Sequence, residues 1–176
     1  MSEVFNLNNS KLFLTNEIEF VNKEVSEYLK SVVLMDDISN KIDCLIHLRS
    51  KIYEKLNQIQ HEYYLTRAIE ILYDNKRILN TDKIFWNPRQ TGGSNEPDVR
   101  VIRNEKVIFS CELTTSTEAK GMIDQRMKMI LEKLGKMEGE KIYFVISRKM
   151  KTRAETKIKK MALKIIVVNV NEWKCV

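Results

Sequence analysis

Two acids carry the chemistry that the sequence offers most plainly. Asp98 follows Pro97 at the start of an alternating segment, and Glu112 comes thirteen residues later inside Ile108-Phe109-Ser110-Cys111-Glu112-Leu113. A carboxylate in so apolar a run is costly to bury alone, so it is paired, coordinated or at a sheet edge. Val99–Ile102 and Val107–Thr114 read as two strands joined tightly at Asn104-Glu105, which makes a hairpin with Asp98 at one strand's start and Glu112 near its partner's end. Side chains alternate along a strand, so Ser110, Glu112 and Thr114 share one face, and Cys111 and Leu113 the other. Two carboxylates on adjacent strands suit Mg²⁺, which takes one or two protein carboxylates, keeps several waters and accepts a phosphate oxygen. Such an ion acidifies a bound water and stabilises charge on a phosphoryl centre, which is the chemistry of phosphodiester hydrolysis.

Around that hairpin the elements follow from periodicity. Apolar residues recur at helical spacing from Asn16 to about Leu34 and again from about Asp36 to Asn75, with a break expected near Asn57–His61. No Pro or Gly occurs before position 88, so the first 75 residues read as nearly all helix. Lys83–Trp86 is a short strand, and Pro88–Pro97, with Gly92-Gly93, is a loop. After the hairpin an amphipathic helix is expected from about Thr117 to Met137, ended by Gly139. Ile142–Ile146 reads as a strand buried on both faces, Lys151–Leu163 as a basic helix and Ile165–Val168 as a last strand. The predicted fold is α/β: helix, three strands, helix, strand, helix, strand, forming a mixed sheet flanked by helices, behind an all-helical N-terminal region. Residues 1–57 form that region and 58–176 the core.

Composition narrows the function class. The 176 residues suffice for a core without staples, and no apolar run approaches a membrane span. The N-terminal residues lack a secretory pattern, and three scattered cysteines argue for a reducing compartment, so a cytoplasmic location with no membrane association is expected. With two histidines and no Cys-x-x-Cys, structural zinc is disfavoured. The charge is uneven. Residues 1–75 carry 8 Lys/Arg against 12 Asp/Glu, net −4, and residues 76–176 carry 22 against 12, net +10. The basic half is the expected polyanion binder, with Arg148, Lys149, Lys151 and Arg153 opening its densest run. Arg89, in the small-residue loop, and Arg100 are further candidates for contact with such a polyanion.

Asp98 and Glu112-x-Thr114 on a hairpin, with a Glu-bearing helix before and helix, strand, helix, strand after, resemble the PD-(D/E)XK nuclease superfamily over residues 58–170. That superfamily includes type II restriction endonucleases and Holliday junction resolvases. The resemblance implies Asp98 and Glu112 as metal ligands and Mg²⁺ as cofactor, with Mn²⁺ able to substitute. It also implies a water-handling role for position 114, where Thr114 stands in place of the usual Lys. A Thr hydroxyl supplies no cation but can hydrogen-bond a water. Lys120, expected in the first turn of the next helix, is a candidate replacement cation, and Gln125 on that helix matches a glutamine found in some members.

An upstream helical Glu often joins the metal in this superfamily. Turning about 100° per residue from Leu65 puts Glu62 about 60° from the apolar face and Glu70 about 140° away, so Glu62 is the choice. His61 beside it reads as a helix-surface residue. The function implied is Mg²⁺-dependent cleavage of double-stranded DNA by a homodimeric type II restriction endonuclease, part of a restriction-modification system. The helical N-terminal region would serve as dimer interface or DNA grip, which favours this class over a small resolvase. The alternatives are a resolvase or repair nuclease of the same fold, or a DNA-binding protein whose nuclease site has degenerated.

Overall fold

The computed structural model describes residues 3–87 and 96–172. In chain order the elements are β1 (Glu3–Val4), α1 (Leu7–Val33), α2 (Ile38–Asp74), β2 (Lys83–Trp86), β3 (Val99–Arg103), β4 (Lys106–Thr114), α3 (Met122–Gly135), β5 (Glu140–Val145), α4 (Arg148–Lys160) and β6 (Ile166–Asn169). The fold is α/β with a mixed sheet and flanking helices, and the order of elements from α2 onward is the order expected. Two compact units divide the chain, Leu7–Tyr63 and Met1–Asn6 together with Tyr64–Val176. The division inside α2 thus falls between residues 63 and 64 rather than 57 and 58, and the N-terminal residues belong with the sheet. Among the described residues no helix is long and apolar enough to cross a membrane.

The helical unit is an antiparallel hairpin. α1 begins at Leu7, well before Asn16, because Ser10 is absorbed into the helix: its hydroxyl donates to the Leu7 carbonyl at 2.9 Å instead of competing with the helix. Asp37 accepts from the Asn40 amide at 2.9 Å, capping the start of α2. The break expected at Asn57–His61 does not occur, and α2 runs unbroken for 37 residues. Asn57, Gln58 and Gln60 are polar but none forces the backbone out of helix, and polarity alone ends no helix. Lys51 with Glu24 and Lys55 with Glu17 pair across the two helices, and Ser10, Val21 and Leu48 are the residues of α1 and of the first part of α2 that are buried ahead of Glu62.

In the other unit the six strands lie in sequence order, β1 to β6. β1 through β4 pair antiparallel, and β4, β5 and β6 pair parallel, so α3 and α4 are the crossovers that parallel pairing requires. β1 was not expected from the sequence, since two residues are too few to show alternation. It adds to β2 through Glu3↔Trp86 and Val4↔Phe85, and Phe5 packs edge-to-face on Trp86 at 5.3 Å. The β3–β4 turn places Asn104 at φ 50 and Glu105 at φ 62, the two positive values of a tight hairpin whose twist matches its strands.

α3 and α4 cover one face of the sheet. Met127, Leu131 and Leu134 of α3 and Met150, Ala154 and Ile158 of α4 enclose Tyr143 and Val145 of β5. On the opposite face Arg77, just past α2, lies 4.9 Å from the centre of the Phe109 ring. The buried Leu65, Ala68, Ile69, Ile71 and Leu72 belong to this last part of α2. Ile142–Ile146 is buried throughout, as a strand between covered faces must be.

Both crossover helices differ in extent from expectation. α3 is shorter, Met122–Gly135, with Lys136 rather than Gly139 at its end. Gly139 instead serves the turn into β5: at φ 72 it lies so close to β4 that a Cβ would stand 2.7 Å from the Ile108 carbonyl carbon. α4 starts earlier, because extended Ser147 caps it, its hydroxyl oxygen accepting from the Met150 amide at 3.1 Å.

Candidate active site

The pairing of β3 with β4 sets the site. Val99 faces Cys111, Arg100 faces Ser110 and Val101 faces Phe109. Continuing that register one residue beyond Val99 sets Asp98 opposite Glu112, on the face that Ser110 and Thr114 share. Antiparallel neighbours of this kind hold their Cβ atoms about 5 Å apart. Both acids are buried, Asp98 at 7% exposure and Glu112 at 5%. Asp98 Oδ2 accepts the Leu113 amide at 2.8 Å, so the carboxylate takes over as acceptor where the backbone ladder stops. The aspartate is thereby fixed against the strand that bears Glu112.

The cation beside these acids is Lys133 of α3, which the sequence did not single out. Its Nζ lies 2.6 Å from Glu112 Oε1 and donates to the Glu96 carbonyl at 2.9 Å. One ammonium thus ties the residues leading into β3 to the acid on β4. Lys120, the expected candidate, precedes α3, is exposed and pairs with Glu118 instead. Gln125 is an exposed residue of α3. α3 also carries Arg126 and Lys128, with Lys136 just past its end, and nothing in the spacing marks Lys133 among them, since its role depends on where the helix crosses the sheet.

Thr114 is engaged as well. Its hydroxyl oxygen accepts from Tyr143 at 2.7 Å, and Tyr143 stands beside Glu112 in the parallel register of β4 and β5. Burial pushes the Tyr143 phenol up to about 12, with the negative charges of Glu112 and Asp98 adding to the shift. The phenol therefore stays protonated and keeps its hydrogen on Thr114. On the other face, burial first and the Asp98 charge second push the Cys111 thiol far up, leaving it an inert core residue. Tyr143 read in sequence as one of five apolar strand residues, and only the register of the parallel pair gives it a place here.

Glu62 belongs to the helical unit. It is buried, accepts from Gln58 Nε2 at 2.8 Å and has His61 Nδ1 at 3.7 Å. Glu70 pairs with Arg67 at 2.8 Å. Among the described residues no three His, Cys, Asp or Glu side chains gather as a metal-holding group. Asp98 and Glu112 each offer carboxylate oxygen donors.

The candidate DNA contacts divide. Arg89 lies outside the described residues. Arg100 is half-buried, with its guanidinium 5.7 Å from the Phe85 ring centre, so it is partly spent on the sheet. On α4, Arg148 is exposed and Lys151 half-buried. Lys149 pairs with Glu118, while Arg153 and Lys157 pair with Asp124 at 2.7 and 2.9 Å. The basic run of α4, broken in sequence only by Glu155, is thus partly neutralised by acids from outside α4, which no count along the helix reveals. No family model, curated protein or solved structure matches the chain.

Proposed function

We propose that the α/β unit is a Mg²⁺-dependent endonuclease acting on double-stranded DNA, with a restriction-endonuclease-like core of the PD-(D/E)XK type. The observation that carries this reading is Glu112, buried in an apolar strand, set opposite Asp98 and held by Lys133 at 2.6 Å. Two carboxylates and one ammonium leave a single negative charge. A divalent cation reverses that balance to +1, which suits a phosphodiester bearing −1. The donor set is hard oxygen from two acids, as Mg²⁺ prefers, and Mn²⁺ fits the same donors. When bound, such an ion supplies Lewis acidity to a phosphoryl oxygen and acidifies water.

The chain's own residues do the rest. Asp98 and Glu112 hold the ion, Asp98 already fixed by the Leu113 amide. Lys133 positions Glu112 and presents positive charge where a phosphate arrives, the electrostatic part that Thr114 cannot play. Thr114, its oxygen accepting from Tyr143, retains a hydroxyl hydrogen to donate. Arg148, Lys149, Lys151 and Arg153 give the phosphate backbone its non-specific, salt-sensitive contacts. Site-specific cleavage in the manner of a type II restriction enzyme is the activity that fits this combination.

Incubation of a mixed-sequence duplex library with the protein and Mg²⁺ at low salt, with sequencing of the ends, tests this. Fragments sharing an end sequence are expected, and an intact library rejects the reading. A second reading, a DNA-binding protein without turnover, is favoured by the engagement of Glu112 by Lys133 and of Thr114 by Tyr143. It predicts salt-dependent duplex binding with no cleavage under any divalent metal.

A further inference from the structure

The helical unit has two unlike faces. Its cross-hairpin polar contacts lie together: Lys51 with Glu24, Lys55 with Glu17 at 2.7 Å, Ser31 with Cys44 at 3.8 Å, and the Tyr28 and His47 rings 5.8 Å apart. Turning about 100° per residue from Val21, Glu24 and Ser31 fall to one side of the seam, and Ile18 and Leu29 fall about 60° and 80° to the other. From Leu48 on the second helix, Lys51 falls to one side, and Leu45, Ile38 with Leu56, and Ile42 fall about 60°, 80° and 120° to the other. The helices run antiparallel, so the same sense of rotation brings both apolar stripes onto one face of the hairpin.

That face is in water. Leu29 is 49% exposed, Ile38 71%, Ile42 50%, Leu45 45% and Leu56 47%. With Ile18 and Val33 they expose on the order of 700 Å² of apolar surface, close to what each partner of a standard protein–protein interface contributes. A patch this size exceeds what soluble monomers ordinarily leave open. Inside the hairpin, by contrast, Val21 and Leu48 are the buried apolar residues.

We infer that this face pairs with the same face of a second copy, so that two hairpins close into a four-helix bundle about a two-fold axis. The charge pattern favours a second copy. The unit carries 7 Lys/Arg against 9 Asp/Glu, a net of −2 that is too small to oppose self-association strongly; its ion pairs lie on the far face, while Lys11 and Arg49, about 80° and 100° from Val21 and Leu48, lie on the apolar side. An apolar patch is its own complement, as an isologous interface requires, and half of a four-helix bundle is an antiparallel pair with one apolar face. The inference stands apart from the nuclease reading, since it is tested without DNA or metal.

Sedimentation equilibrium of the full chain decides it. The wild type is expected at twice 20.8 kDa. Leu29→Glu with Ile42→Glu is expected at the single-chain mass, with far-UV circular dichroism unchanged. Leu12→Glu is the control: Leu12 is 61% exposed but falls about 180° from Val21, off the proposed face, and the dimer should survive. Should the double Glu variant lose its circular dichroism signal, Leu29→Asn with Ile42→Asn is read in the same way. A wild type that stays at single-chain mass at every concentration, or a folded double variant still at twice that mass, overturns the inference. So does a dimer lost equally in Leu12→Glu.

Discussion

In the α/β unit Leu131, Leu134, Ile142, Tyr143 and Met150 have no exposed surface, whereas in the helical unit Leu29, Ile38 and Ile42 are 49%, 71% and 50% exposed. The difference is one of geometry. A sheet covered by α3 and α4 buries side chains from three elements in one layer, while a two-helix hairpin has a single seam and must leave one flank of each helix open. The first unit contains the whole of its core and can hold two carboxylates and an ammonium in fixed places. The second leaves the apolar residues along one flank of its helices exposed. The proposed site and the proposed pairing thus call for opposite things, a closed core around Glu112 and an open one along α1 and α2.

Truncation of one leucine in each unit should separate the two units most clearly. Leu131→Ala leaves a cavity in a closed core and should cost about 3 kcal/mol, seen as a lower Tm at every protein concentration. Leu45→Ala should cost less than about 1 kcal/mol in the isolated chain, with a larger loss only where copies associate. Equal, concentration-independent losses in thermal unfolding would erase the distinction.

Lys133→Met addresses the site. Removing the ammonium strands a buried carboxylate, and because Lys133 is itself partly exposed the loss should be roughly 1–3 kcal/mol in denaturant unfolding. Glu112, released from its ion pair, should take Mg²⁺ about tenfold more tightly by calorimetry, while DNA cleavage falls. Unchanged metal affinity would mean that Lys133 does not share the acid with the ion.

The smallest effect lies on the surface between α3 and α4. Lys120 first and Lys149 next hold the Glu118 carboxyl down at about 2, against its usual 4.5. Because the folded value is the lower, this stabilisation is complete above about pH 4.5 and is lost as pH falls through about 2. Glu118→Gln should flatten that part of a Tm-against-pH curve, and added salt should do the same to the wild type. Asp124, held below the carboxylate range by Arg153 and Lys157, acts in the same sense.

Much of the α/β unit was legible because its signals are local. Alternation located β3 and β4, the Asn104-Glu105 turn joined them, and an acid inside an apolar strand marked Glu112. What escaped depends on contacts between elements. Lys133 matters through the crossing of α3 over β4, Tyr143 through the parallel register, and the pairing of Lys149, Arg153 and Lys157 through acids outside α4. The helical hairpin shows the opposite error. Its apolar positions were legible as helix faces, but periodicity does not say whether a face meets its own chain or water. The Ser147 cap was readable in principle, as a Ser three residues ahead of Met150 at the start of a helical pattern.

Whether Asp98 and Glu112 form a metal-dependent cleavage site is decided by one paired measurement. Glu112→Ala and wild type are compared for Mg²⁺-dependent cleavage and for binding of the same duplex in Ca²⁺. A cleavage loss on the order of 10³-fold or more is expected, with duplex affinity kept within about threefold. Cleavage that survives Glu112→Ala, or a wild type that binds the duplex and never cuts it, would rule such a site out.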